Sequence, residues 1–162
     1  MSYQKTIWKN GKEWLNQLVI LHIGMVIVSI VITFMAYYIA TPVAGGYEAG
    51  PIPSADVIGA VLALLGIIVS NYIYRSRLLK IQKANGLADK LLQYRQRLIN
   101  SYAILQFVCM SNIILSIFSG NIFNLYIALI VAVLLFFKRP VKQNIFKDLM
   151  LNTEEIREFE TV

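Results

Sequence analysis

Charged positions are excluded from long stretches of this chain and crowded into short ones. From Leu15 to Ala40 there is no Asp, Glu, Lys or Arg, and a second uncharged block runs from Leu98 to Phe137. A helix rises 1.5 Å per residue, so about 26 residues reach ~39 Å, enough to cross ~30 Å of hydrocarbon with some tilt. The pattern therefore predicts a first span at 15–40 and a second at 55–74. The later block is too long for one helix and holds Ser119-Gly120-Asn121, a turn signal, which divides it into spans at 101–119 and 122–137. A cleaved secretory signal does not fit the first span, because its apolar region would be only about 7–15 residues long.

Within the spans, the spacing of small and polar residues predicts which faces meet. Gly59, Ala63, Gly66 and Ser70 form a small-residue seam on the second span, where another helix backbone can approach closely. On the third span Gln106, Cys109, Asn112, Ser116 and Ser119 form a polar stripe, and on the fourth Asn124, Ala128 and Ala132 form a small one. Such residues belong between helices because hydrocarbon offers no hydrogen bonds.

The segments outside the spans carry their own signals. In the connector, 75–100, Leu87, Leu91, Tyr94 and Leu98 repeat at helical spacing. Asn85-Gly86 interrupts it, since both residues tolerate a left-handed backbone, and the expectation is a helical hairpin that leaves the second span, turns near Ala84 and returns. Residues 41–54 are rich in proline and glycine and predict a loop, after which Ser54 and Asp56 suit the start of a helix. In the tail, 138–162, Lys138-Arg139-Pro140 ends the fourth span, and Val141, Ile145, Phe146 and Leu149 predict an amphipathic helix lying on the membrane surface. Asn152 and Glu155 resemble a capping box, and the last turn, with four glutamates from Glu154 on, is expected to be solvated. At the other terminus Tyr3, Ile7, Gly11 and Trp14 share one helical face, which suits either an interfacial lead-in or a frayed basic end.

Charge sets the orientation. The 15 Lys and Arg residues fall before the first span, in the connector and after the fourth, whereas loop 41–54 and turn 119–121 have none. Basic residues beside short loops stay inside, so both termini are expected to be cytoplasmic. The net charge of +6 does not call for nucleic acid, because these cations flank apolar spans rather than covering a soluble face; an anionic inner leaflet is the simpler partner. A hydrophobic fraction of 57% and mean hydropathy of +0.61 agree. The fold expectation is an all-α integral membrane four-helix bundle, one domain over 1–162, with a hairpin-like connector.

Chemistry has few candidates. His22 is the only ionisable group well inside a span, with Ser29, Thr33 and Ala36 continuing its face. It could bind a ligand or respond to pH, but a neutral structural histidine satisfied by Asn or Gln of another helix is the preferred reading. One His and one Cys, Cys109, fall short of a metal site, and no catalytic set or phosphate loop is present, so no cofactor is expected and an enzyme has little support.

Leu21-His22-Ile23-Gly24, with Lys138-Arg139-Pro140 and Asp148-Leu149-Met150-Leu151, resembles small four-span bacterial membrane proteins without an assigned activity. The resemblance implies a bacterial inner-membrane location and carries over no site residue. The functional expectation is a non-catalytic membrane component: a scaffold, an accessory subunit or a self-associating bundle, as a homo-oligomer or in a larger complex. The alternative is a small channel or transporter along the stripe of Gln106, Asn112 and Ser116, and a membrane enzyme using His22 comes third.

Overall fold

The structure, a computed structural model, describes residues 11–44, 53–76, 78–84 and 86–161. Seven helices and no strand occur among them: α1 (Gly11–Ala44), α2 (Pro53–Arg75), α3 (Leu78–Gln82), α4 (Leu87–Ser119), α5 (Phe123–Phe137), α6 (Lys142–Leu149) and α7 (Thr153–Thr161). The expected face of Tyr3 and Ile7 and residues 45–52 of the proline-rich loop lie outside the described residues.

α4 is the central helix, packed against α2, α5 and α1. Its buried face begins with Leu87, Leu91, Tyr94 and Leu98 and continues through Tyr102, Leu105, Cys109, Asn112 and Ser116. The expected hairpin is present: α2 and α3 carry the helical path to Gln82, the chain turns before Leu87, and α4 returns packed along α2 and α3. α2 stops at Arg75, a single turn of helix follows as α3, and Gly86, with φ of 96°, starts a helix that runs unbroken to Ser119. The stripe assigned to the connector and the stripe assigned to the third span are one face.

Two further boundaries differ from expectation. α1 continues past Pro42 to Ala44, into the stretch read as loop. α2 begins at Pro53 itself, where the missing proline N–H costs nothing, with Asp56 in its first turn. The α4–α5 turn has the expected form: Gly120 takes φ of 65°, a left-handed conformation that needs no Cβ accommodation only in glycine.

The helices have two distinct ends. The start of α1, the end of α2, the start of α4 and the end of α5 gather with α3, α6 and α7, and every described Lys and Arg belongs to this end. Trp14 meets Phe159 with ring centroids 6.3 Å apart, Lys90 pairs with Glu155 at 2.6 Å, and Gln82 Nε2 donates to the Asp148 carbonyl at 2.7 Å. At the opposite, turn end, Asp56 is the sole described charge.

The tail differs most from expectation. Ile145 and Leu149 of α6 are fully buried and Phe146 partly so, while Val141 stays exposed, so most of the predicted apolar face is covered by protein. α5 and α6 meet at 76°, which turns α6 across the end of the bundle toward α3. The capping box forms in both directions, Glu155 N–H to Asn152 Oδ1 at 2.8 Å and Asn152 N–H to Glu155 Oε2 at 3.0 Å. α7 is not simply solvated: Phe159 is buried against Trp14 and Phe146, and only its outer face, with Glu154, Glu158 and Glu160, is exposed.

Between the two ends the outward surface is apolar. Ile20, Leu64, Phe107 and Ile130, one from each of α1, α2, α4 and α5, are 70%, 62%, 69% and 59% exposed. Among the described residues three helices are long and apolar enough to cross a membrane, and a fourth crossing exists only if α5 and α6 count as one bent unit.

Candidate functional site

The small seam of α2 faces α4 and α5. A Cβ on Gly66 would lie 2.2 Å from Val108 Cγ2, and one on Gly59 would lie 2.1 Å from Asn124 Oδ1 and 2.6 Å from Asn112 Oδ1. Those two amide oxygens are buried without a hydrogen-bond partner among the described residues. Glycine lets them sit against its Cα, where C–H groups offer only weak polar contact. At the next turns the seam becomes polar: Ser70 Oγ lies 2.7 Å from Ser101 Oγ.

The stripe on α4 is closed by its neighbours. Gln106 Oε1 accepts from Ser29 at 2.7 Å, Cys109 Sγ lies 3.5 Å from the Ala128 carbonyl, Asn112 Nδ2 donates to the Val108 carbonyl at 3.0 Å, and Ser116 donates to the Asn121 carbonyl at 2.7 Å. Each of these side chains is engaged within one protein chain.

His22 does not meet an amide. Its ring lies against Tyr102, with centroids 4.9 Å apart, and neither ring nitrogen has a hydrogen-bond partner among the described residues. Gln106, the nearest candidate on the stripe, is engaged by Ser29 instead. Thus His22, Gln106, Asn112 and Ser116 occupy successive levels of the bundle and form no joint site.

The polar groups that do converge are at the basic end. The Asp148 carboxylate accepts from the hydroxyls of Tyr94, at 3.0 Å, and of Tyr74. Arg97 donates to the carbonyls of Ile73, at 3.2 Å, and Ser76, at 3.1 Å, neutralising the negative end of α2. Where α5 ends, Lys138 N–H bonds the Leu135 carbonyl and its own carbonyl accepts from Tyr102 at 2.8 Å. Lys138 Nζ reaches back to Ser70 Oγ, at 3.0 Å, and Asn71 Oδ1, at 2.8 Å. Burial pulls the pKa of this lysine below its ordinary value.

Asn71, Tyr74, Tyr94, Tyr102 and Lys138 are among the residues lining a cleft of about 200 Å³ between the end of α2, the middle of α4 and the α5–α6 bend. Tyr94, Leu98, Ser101 and Tyr102 form its buried floor, and Arg75, Arg139 and Asn144 its exposed rim. Sequence reasoning used Lys138-Arg139-Pro140 only as a helix stop. The signal that could have found the cleft is the continuation of two faces: the α2 seam extends from Ser70 to Tyr74, and the α4 stripe extends back from Tyr102 to Tyr94.

At the turn end Asn121 Nδ2 lies 2.8 Å and 2.7 Å from the two oxygens of Asp56, while Asn121 Oδ1 accepts from Phe123 N–H at 2.9 Å. This carboxylate fastens the start of α2 to the α4–α5 turn. No group of three His, Cys, Asp or Glu side chains suited to a metal occurs among the described residues.

No protein-family model, curated protein or solved structure matches this chain.

Proposed function

We propose that this chain is an integral protein of the bacterial inner membrane with four spans and both termini cytoplasmic, acting as a non-catalytic component: a scaffold, an accessory subunit or a self-associating bundle. The observation that carries the reading is the division of surfaces. Apolar side chains face outward around α1, α2, α4 and α5, while Gln106 and Ser116 of the interior stripe are bonded within the bundle. A water-soluble protein would leave such an apolar belt exposed to solvent, and a conducting path would need a continuous hydrated lining. The concentration of every described Lys and Arg at one end supports a cytoplasmic position for that end. α5, with 15 residues, is ~22 Å long, shorter than ~30 Å of hydrocarbon. Its crossing therefore calls for local thinning of the bilayer, with Lys138 extending toward the interface.

Reporters fused after residues 48, 86 and 162 are expected outside, inside and inside, and an external reporter at 86 would overturn the topology. Reconstituted into liposomes, the purified protein is expected to give no ion flux above empty vesicles. Flux that disappears in a folded Gln106→Leu, Asn112→Leu variant would make the channel reading the better one.

A further inference from the structure

We propose that the cleft between the end of α2 and the α5–α6 bend seats the phosphate of an anionic phospholipid headgroup. The proposal rests on the membrane reading and adds a defined site and ligand class to it.

Three cations, Arg75, Lys138 and Arg139, line this one cleft. Lys90 pairs with Glu155 and Lys142 with Glu160, whereas among the described residues no carboxylate is paired with Arg75, Lys138 or Arg139. The Asp148 carboxylate, held by the hydroxyls of Tyr74 and Tyr94, is not among the residues that line the cleft. Lys138 is held in place by two neutral oxygens, which orient an ammonium without cancelling its charge and leave its third N–H for a ligand. Its lowered pKa has the same origin, a cation partly withdrawn from water without an opposite charge. An arriving anion supplies that charge.

Position selects the source of the phosphate. The apolar belt ends here, with Phe137 of the cleft lining exposed at 76%, so a headgroup entering it would leave its acyl chains along an apolar surface. The cleft, at about 200 Å³, is smaller than the ~300–1,000 Å³ of sites for drug-sized ligands and suits a compact phosphate ester. Basic pockets between helices on the cytoplasmic side are a general means of holding such headgroups.

The test uses the full-length protein in mixed-lipid nanodiscs, with retained lipid read by native mass spectrometry. Phosphatidylglycerol should be retained over phosphatidylcholine. Arg75→Gln and Arg139→Gln, both at exposed positions, should each weaken that preference about fivefold without changing the lipid-free melting temperature. Lys80→Gln and Lys83→Gln, exposed cations on and just after α3, should leave it unchanged. Equal retention of the two lipids, or equal loss from the α3 controls, would overturn the proposal. Stabilisation by millimolar inorganic phosphate with none from phosphatidylglycerol would overturn the lipid assignment. Release of the protein from native membranes by alkaline carbonate would instead sink the membrane reading itself.

Discussion

Gly66 of α2 and Val108 of α4 are in such close register that a single added carbon on Gly66 would fall 2.2 Å from the valine Cγ2. Valine is branched at Cβ and stiff at χ1, so its methyl cannot swing aside at little cost. Gly66→Leu should therefore destabilise the protein by about 1–3 kcal/mol through overpacking. Leu64→Ile, two positions away on the outward face, should be nearly silent. Thermal unfolding in detergent compares the two, and equal melting of Gly66→Leu and the parent would remove this contact from the packing of α2 on α4.

Asp56 and Asn121 join the ends of helices that are far apart in sequence. Asp56→Ala should cost on the order of 1 kcal/mol, below the ~1.5–3 kcal/mol typical of hydrogen bonds to charge because Asp56 is half-exposed. Since Asn121 contacts that carboxylate with the same amide nitrogen at both oxygens, Asn121→Ala in the Asp56→Ala background should cost less than it does alone. Additive losses in the double-mutant cycle would mean the pair is not coupled.

Docking of α7 should depend on pH through Glu155. Partial burial of this carboxyl works to raise its pKa, but the Lys90 ammonium and the Asn152 N–H outweigh that and hold it below the ordinary 4.5. A depressed acid stabilises the fold when ionised. Its contribution is fully present above pH 4.5 and fades as pH falls through the lower folded value. Hydrogen exchange across α7 should accelerate over that range in the parent, while Glu155→Gln should show weaker protection that is flatter with pH. Identical profiles for the two proteins would remove Glu155 from the docking of α7.

His22 separates structure from function more sharply than its sequence context allowed. With no hydrogen-bond partner for either ring nitrogen among the described residues, His22→Leu removes a buried polar group without orphaning a partner, so stability should be unchanged or raised by up to ~1 kcal/mol. A marked loss of stability would show that the imidazole has a stabilising polar contact. A stable His22→Leu protein that loses its cellular activity would assign the histidine a role in function.

The apolar blocks, the helix class, the Gly120 turn and the Asn152–Glu155 capping box were all legible in the sequence, because each depends on residues within a few positions of one another. Burial period, left-handed glycine and reciprocal capping are local physics. The seam of Gly59 and Gly66 was legible as a surface, but its partners, Asn124 and Val108, were not. Tertiary structure alone decided that α4 runs unbroken from Leu87, that α6 and α7 fold back over the basic end, and that Tyr74, Tyr94 and Asp148 meet. The reason is separation along the chain: whether a polar stripe faces lipid, water or another helix is set by packing between segments tens of residues apart. Periodicity marks the face that needs a partner, and the identity of that partner emerges only when all the helices compete for the same buried surface.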